Sequence, residues 1–236
     1  MIDVLSTRLE ALSDETYAGN LQWFFKTGPG QYGEGDLFRG IRVPVLRKLC
    51  REFPQAGLED VVSLLASPWH EDRLFGLLLL VERYRKSDDV GREEIYETYC
   101  SQTSRINNWD LVDLSAPQIV GCHLQARDRS PLYRFVASDS LWERRIAIVS
   151  TFHFIRQGEF IDTLAIADRL LEDPEELIHK ATGWMLREVA KRDQPAVEAF
   201  LQEHGSRMPR VMLRYTIERF PEGLRQHYLK STANRH

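Results

Sequence analysis

The chain has 236 residues, of which 43% are hydrophobic and 28% charged, and its formal net charge is −4. These values are ordinary for a soluble globular protein that buries its own core. The longest apolar run, 77–81, is far shorter than the roughly 20 residues that span a bilayer, so we expect no membrane partner. Three widely separated cysteines (Cys50, Cys100 and Cys122) predict free thiols, and no signal peptide is evident, so we expect a cytoplasmic protein.

The charge is unevenly distributed along the chain. Residues 1–98 carry 12 Lys and Arg against 17 Asp and Glu, residues 99–177 carry 8 against 12, and residues 178–236 carry 11 against 6. The negative total weighs against nucleic-acid binding, but it can hide a local basic face in the last quarter of the chain. The alternative interpretation of this basic segment is a solvated helix surface.

The N-terminal region, 1–56, is predicted to be an atypical capping region. Residues 3–26 have the pattern of two helices, residues 27–42 form a glycine-rich loop, and another helix follows over 43–53. The loop contains a literal G-x-G-x-x-G at 28–33, but it follows a helix and precedes Glu34 and Asp36. Because the strand–turn–helix context is missing, we reject a nucleotide site here.

The region 57–219 shows helical periodicity in pairs of short helices. Strand signals are nearly absent, and the second helices of successive pairs begin about 32–38 residues apart, which is typical of a helical solenoid. The sequence therefore predicts an all-α, single-domain, HEAT-like solenoid of stacked antiparallel helix pairs with a concave groove, followed by a tail over 220–236. The predicted pairs are 57–67 with 70–86, 91–102 with 108–124, 130–137 with 140–157, 160–171 with 175–191, and 194–204 with 207–219.

Motifs for metal and nucleophilic-serine chemistry are missing. None of the seven histidines forms an H-x-x-x-H pattern, and the sequence contains neither C-x-x-C nor G-x-S-x-G. We therefore predict no metal and no cofactor.

The segment Asn107-Asn108-Trp109-Asp110-Leu111-Val112-Asp113 predicts a helix start with unusual side chains. Either asparagine suits the N-cap. Asp110 lies in the first turn, where the helix dipole stabilises a negative charge, so we interpret Asp110 as structural. Trp109 and Asp113 lie one turn apart on the same face. From the residues alone, Asp113 is either a functional acid or a solvated carboxylate.

Two further segments combine tryptophan with arginine or lysine. Trp184, Arg187 and Lys191 share a helix face, an arrangement that suits a nucleic-acid backbone beside a stacked base or sugar. The alternative is a core tryptophan with two basic neighbours at the surface. In Leu141-Trp142-Glu143-Arg144-Arg145, one arginine is expected to meet a phosphate and the other to hold the neighbouring repeat.

These segments resemble the AlkD-like family of bacterial DNA alkylation repair enzymes, which are DNA glycosylases with a HEAT-like fold. The motifs that carry the resemblance are Trp-Asp-x-Val-Asp at 109–113, Trp-x-x-Arg at 142–145, Gly-Trp-x-Leu-Arg-Glu-x-Ala-Lys at 183–191, and Phe-x-Gly-Ile-x-x-Pro at 38–44. The likeness covers about residues 20–219, although the glycine loop at 28–36 is longer than in the best-known members.

The resemblance implies a function and a role for each matching residue. The family removes N3- and N7-alkylated purines from double-stranded DNA, which would be the partner of this chain in the bacterial cytosol, and we expect a monomer. By motif, Asp113 would be the catalytic carboxylate and Trp109 and Trp184 would flank the deoxyribose of the lesion. The residues implied to hold phosphates are Arg145, Arg187 and Lys191, with Arg144 as the alternative to Arg145.

The expected chemistry needs few groups. An alkylated purine that already carries positive charge is a good leaving group, so one carboxylate that stabilises the oxocarbenium-like sugar and positions water is sufficient. The alternative function is a HEAT-like scaffold that binds DNA structures or a protein without catalysis. A carboxylate in the groove discriminates between the glycosylase and the scaffold, because a protein that only binds anionic DNA gains nothing from it.

Overall fold

A computed structural model describes residues 1–231, and within them every regular element is a helix. The only sheet-like feature in this range is an isolated parallel bridge between Leu37 and Trp69. The all-α prediction is thus confirmed. None of the helices described is long and apolar enough to cross a bilayer.

The chain divides into two compact units, residues 1–115 and residues from 116 onward, and the prediction of a single domain stays a prediction. Unit 1 contains the predicted capping region and the first repeats. Its helices are α1 (Ile2–Glu10), α2 (Glu15–Phe24), α3 (Val43–Glu52), α4 (Leu58–Leu65), α5 (His70–Lys86), α6 (Asp89–Ser101) and α7 (Trp109–Asp113), with a 3-10 turn at Thr103–Arg105.

Helix α5 is the centre of unit 1 and packs against α3, α4 and α6. One face of α5 is an apolar stripe that is buried, formed by Leu74, Leu77, Leu78, Val81 and Tyr84. The first turn is buried as well, although it consists of His70, Glu71, Asp72 and Arg73. Because buried charges are costly without partners, this turn has to be paired with other polar groups of unit 1.

The glycine-rich loop between α2 and α3 passes close to the backbone of α2 at Gly40. This residue has φ of +80°, and a Cβ at this position would lie 2.1 Å from the carbonyl oxygen of Asp14. Only glycine fits such a conformation and approach. The motif Phe38-x-Gly40 is therefore explained by a backbone contact.

The predicted continuous helix over 108–124 is wrong. Helix α7 ends at Asp113, and a π-helical turn over Pro117–Gly121 and the short α8 (Cys122–Leu124) follow it. Pro117 has no N–H to donate to the carbonyl of Asp113, and its ring disfavours a continuing α-helix. In the π turn, Gly121 N–H donates instead to the Ala116 carbonyl at 3.0 Å.

Unit 2 contains the remaining helices, and all but the last of them lie at the predicted places. They are α9 (Ser130–Val136), α10 (Leu141–Arg156), α11 (Ile161–Arg169), α12 (Glu176–Ala190), α13 (Gln194–His204), α14 (Arg210–Thr216) and α15 (Glu222–Ser231). Helix α10 packs against α9, α11 and α12, and α12 packs also against α11, α13 and α14. The segment treated as a tail thus contains α15, whereas its residues 232–236 lie outside the described residues.

Candidate active site

Helix α7 carries Trp109 and Asp113, and its start is capped as the sequence predicts. Asn108 is the N-cap, and its side-chain oxygen accepts a hydrogen bond from Trp109 N–H at 2.8 Å. Asp110 accepts one from Leu111 N–H at 2.9 Å through Oδ1. A helix of five residues has little stability of its own, so neighbouring elements of unit 1 have to hold it.

The start of α7 is held mainly by a buried histidine that lies between two carboxylates. Nε2 of His70 lies 2.9 Å from Oδ2 of Asp110, and Nδ1 lies 3.3 Å from Oδ2 of Asp36. All three residues are at most 7% exposed. Burial by itself would lower the pKa of His70, but the negative charges of Asp110 and Asp36 and their hydrogen bonds raise it to about 9. The imidazole is therefore protonated at neutral pH and donates to both carboxylates.

Two more groups donate hydrogen bonds to Asp36, which the glycine-rich loop brings into the core. Arg73 Nη2 donates to Asp36 Oδ1 at 2.6 Å, and Asn108 Nδ2 donates to Oδ2 at 3.2 Å. Burial alone would raise the pKa of Asp36, but His70, Arg73 and Asn108 together hold it below its usual range. The N-cap residue of α7 is thus tied to the loop and to α5 through one carboxylate.

A second buried carboxylate fixes the last part of the loop. Glu71 accepts hydrogen bonds from three consecutive backbone N–H groups, those of Arg39 at 2.8 Å, Gly40 at 2.8 Å and Ile41 at 3.1 Å. Its neighbour Asp72 accepts two hydrogen bonds from the Arg39 guanidinium, at 2.6 and 3.0 Å. The loop and the first turn of α5 are therefore joined by both hydrogen bonds and ion pairs.

The C-terminal end of α7 is held by a different contact. Ser115 Oγ donates to the Leu111 carbonyl at 2.5 Å and lies 3.0 Å from the hydroxyl of Tyr99 on α6. Burial raises the pKa of Tyr99, and the nearby charge of Asp113 adds to this effect. Helix α7 is consequently anchored on both sides of Asp113.

An aromatic layer lies beside the start of α7. Phe25 stacks between Trp109 and Phe38, with ring centroids 5.1 Å from each, and Phe38 stacks on His70 at 4.7 Å. Phe24 meets the Trp109 ring edge-on at 5.9 Å and is 53% exposed. These contacts fix the plane of the indole while leaving Trp109 partly exposed.

Trp109 and Asp113 both line a cavity of about 280 Å³ in unit 1. The other walls include Tyr17 and Phe24 from α2 and Arg42 from the end of the loop, whose guanidinium lies 4.9 Å from the Tyr17 ring centroid. The cavity thus combines aromatic faces with charged side chains, among them Asp113 and Arg42.

Several residues of this site were not found by sequence reasoning. His70 and Asp36 are remote from α7 in sequence, and Asp36 stood out only as an acid that follows the glycine motif at 28–33. The available signal was the unusual charged turn at 70–73 before a long apolar run. Tyr17, Phe24 and Arg42 carry no distinguishing spacing.

The remaining predicted site residues lie in unit 2. Trp184 is partly exposed on α12, and its ring contacts that of Phe152 at 5.7 Å. The preceding Gly183 is fully explained by packing, because a Cβ there would lie 2.5 Å from the Met212 carbonyl oxygen of α14 and 2.6 Å from Cβ of Tyr215. In the Gly-Trp motif, the glycine therefore allows the close crossing of α12 and α14, and the tryptophan places a partly exposed indole beside it.

The four predicted phosphate ligands all have partners within unit 2. Arg144 Nε donates to Asp173 at 2.6 Å, and Arg145, which is 5% exposed, donates to the Leu177 carbonyl at 2.7 Å. Arg187 pairs with Glu218, and Lys191 lies 2.5 Å from Glu188 with a side chain that is 42% exposed. Lys191 lies just beyond the last residue of α12, so it is the most accessible of the four.

Comparison with known proteins agrees with this architecture. A solved structure from Enterococcus faecalis, described as a predicted DNA alkylation repair enzyme, is similar in fold with a TM-score of 0.67 and 16% identity over 89% of this chain and 97% of that one. This similarity shows that the chain is an all-helical protein with the same fold as that structure. The family model for DNA alkylation repair enzymes matches residues 5–220, and the chain belongs to this family. No curated protein matches the chain significantly.

Proposed function

We propose that the protein is a DNA glycosylase of the AlkD-like group, which releases cationic N3- and N7-alkylated purines from double-stranded DNA. The observation that carries the proposal is the position of Asp113 and Trp109 on one wall of the aromatic cavity of unit 1, on a helix anchored at both ends. Membership of a family of alkylation repair enzymes supports DNA as the substrate.

In this mechanism Asp113 is the catalytic carboxylate. Cleavage of the bond between C1′ and the base nitrogen gives the electron pair to the cationic base, which leaves neutral, while the sugar becomes oxocarbenium-like. The Asp113 carboxylate stabilises that positive charge, orients the water that attacks C1′ and accepts the proton that this water loses. Trp109 adds cation–π attraction worth about 0.5–2 kcal/mol. No general acid is required, because the leaving base is already charged.

The residues of unit 2 take their proposed roles from the resemblance of their motifs. Trp184 presents a second indole to the deoxyribose, and Arg187 and Lys191 bind phosphates. Arg144 and Arg145 are the remaining candidates for phosphate contacts. Each of these cations exchanges a protein partner for a phosphate when DNA binds, so carboxylates such as Glu188 and Glu218 compete with DNA.

The first prediction concerns Asp113→Asn, which keeps the shape of the side chain and removes its charge. We expect the single-turnover rate of base release from a duplex with one 7-methylguanine to fall by about 10²–10³-fold, as for loss of a preorganised electrostatic group. Binding to the same duplex should be unchanged or stronger. Released base is quantified by chromatography against a reaction without protein.

The matched control is Asp89→Asn on α6, whose side chain is 87% exposed; it should release base at the wild-type rate. Base release by wild-type protein that Asp113→Asn leaves unaffected would keep the glycosylase function and reject this mechanism. Tight DNA binding without any release by the wild type would favour the non-catalytic scaffold.

A further inference from the structure

The charged cluster at the start of α7 takes no direct part in the chemistry proposed above. It consists of His70 and Arg73 on α5, Asp36 in the loop, and Asn108 and Asp110 at α7, all buried. Replacing a buried ion cluster by well-packed apolar side chains is often neutral or stabilising, so the presence of such a cluster suggests a role in fixing one geometry. The geometry it fixes is that of α7.

His70 is the only member that joins the two carboxylates. It spans from Asp36 at 3.3 Å to Asp110 at 2.9 Å through its two ring nitrogens. Its ring also contacts the rings of Phe38, at 4.7 Å between centroids, and Phe25, at 4.9 Å, and Phe25 stacks on Trp109. His70 therefore reaches the start of α7 twice, by a hydrogen bond to Asp110 and by the aromatic layer that orients the indole of Trp109.

We propose that His70 is a positioning residue, which orients Trp109 and Asp113 for catalysis by bridging Asp36 and Asp110. This inference rests on the proposed glycosylase function for its kinetic consequence. Trp109 is next to Asp110 in sequence, and Asp113 follows within the same helical turn, so a rotation of α7 displaces both side chains. Because α7 has only five residues, few backbone hydrogen bonds resist such a rotation.

The first test is His70→Gln, measured below its melting temperature. Displacement of reacting groups by about 1 Å costs about 10²-fold in rate, so we expect the single-turnover rate to fall by about 10–100-fold, while the Kd for DNA changes less than about 3-fold. The matched control is His204→Gln in unit 2, whose Nδ1 also lies 3.3 Å from a carboxylate, that of Asp168. It should leave both constants unchanged.

A spectroscopic readout separates positioning from simple stabilisation. The protein is labelled with 5-fluorotryptophan, and the Trp109 resonance is assigned by its loss in Trp109→Phe. A shift of this resonance in folded His70→Gln supports the proposal. An unshifted resonance together with a wild-type single-turnover rate would overturn it, because His70 would then contribute only to folding.

A measurement on the wild type is decisive if His70→Gln does not fold. In protein labelled with 15N-histidine, the His70 imidazole is identified by its nuclear Overhauser effects to Phe38. Two ring N–H signals protected from exchange at neutral pH support the bridge, and a ring with one protonated nitrogen overturns it. Neither nuclear magnetic resonance experiment needs substrate, so both still judge His70 if the wild type releases no base and the proposed function fails.

Discussion

At the scale of single residues, unit 1 concentrates charge where proteins usually place apolar side chains. Glu71 satisfies three backbone N–H groups, Asp72 pairs with Arg39, and His70 bridges two aspartates. Each charge has a partner, as burial requires. These pairs determine how the loop, α5 and α7 are joined, and they make part of the folding free energy dependent on pH.

The protonation of His70 predicts that stability is lost in alkaline solution. The pKa of His70 is about 9 in the folded chain and 6.5 as a free side chain. Its contribution is therefore fully present below pH 6.5 and is lost as the pH rises through 9. The imidazole is faced by Asp36 from the loop and Asp110 from α7, with Arg73 on the other oxygen of Asp36.

Urea unfolding of the wild type below pH 6.5 and above pH 9 should show a decrease of roughly 3 kcal/mol in the free energy of unfolding. His70→Gln should show a clearly smaller decrease. The difference between the two proteins is free of the contribution of other titrating groups. Equal pH dependence in the two proteins would mean that His70 is not protonated in the folded state.

At the scale of helices, close crossings and breaks set the positions of the functional side chains. Pro117 ends the α-helical hydrogen bonding after Asp113, so Asp113 is the last residue of α7 and lies next to a turn. In unit 2, Gly183 lets α12 approach α14 directly beside Trp184. We expect substitutions at these two points to displace Asp113 and Trp184, respectively.

Gly183→Ala tests the crossing of α12 and α14. The new methyl group would overlap the Met212 carbonyl and Tyr215, so we expect the free energy of unfolding to fall by about 1–3 kcal/mol. The control is Gly19→Ala in α2, where a Cβ meets nothing within 4 Å. That change should stabilise the chain by about 0.5–1 kcal/mol, since alanine favours a helix. Equal effects of both changes in thermal unfolding would contradict the packing explanation.

At the scale of the whole molecule, charge is divided between the two units. Residues 1–115 carry 13 Lys and Arg against 19 Asp and Glu, whereas residues 116–236 carry 18 against 16. The net values are −6 and +2. Because DNA attracts cations, the phosphate contacts of the proposed function are expected mainly from the second unit.

Lys191→Ala tests whether phosphate contacts come from the second unit. Each lost phosphate contact reduces the slope of log K against log salt concentration by about 0.9, so the slope should fall by about one. Fluorescence anisotropy with a labelled duplex over a salt series measures it. Lys86→Ala at the end of α5 is the matched exposed lysine and should leave the slope unchanged. A salt-independent affinity of the wild type would exclude binding through phosphates.

Local patterns determined much of this protein directly from the sequence. Helical periodicity gave the all-α class and nearly all helix positions, the glycine-rich loop was recognised, and Asn108 was one of two N-cap candidates for α7. Trp-Asp-x-Val-Asp and Gly-Trp-x-Leu-Arg indicated a family of DNA alkylation repair enzymes, and the family model confirms the prediction at that level, whereas the AlkD-like group stays a prediction. Each of these signals depends on residues that are near each other along the chain.

Only the tertiary structure decided what surrounds α7. The bridge from Asp36 through His70 to Asp110 joins residues more than 30 positions apart, and the cavity combines α2, the loop, α5 and α7. No periodicity or spacing encodes such contacts, because they arise when elements pack and buried charges have to find partners. The break after Asp113 is different, because Pro117 is a local signal for it; the apolar pattern of 108–124 continues through the proline and therefore favoured a continuous helix.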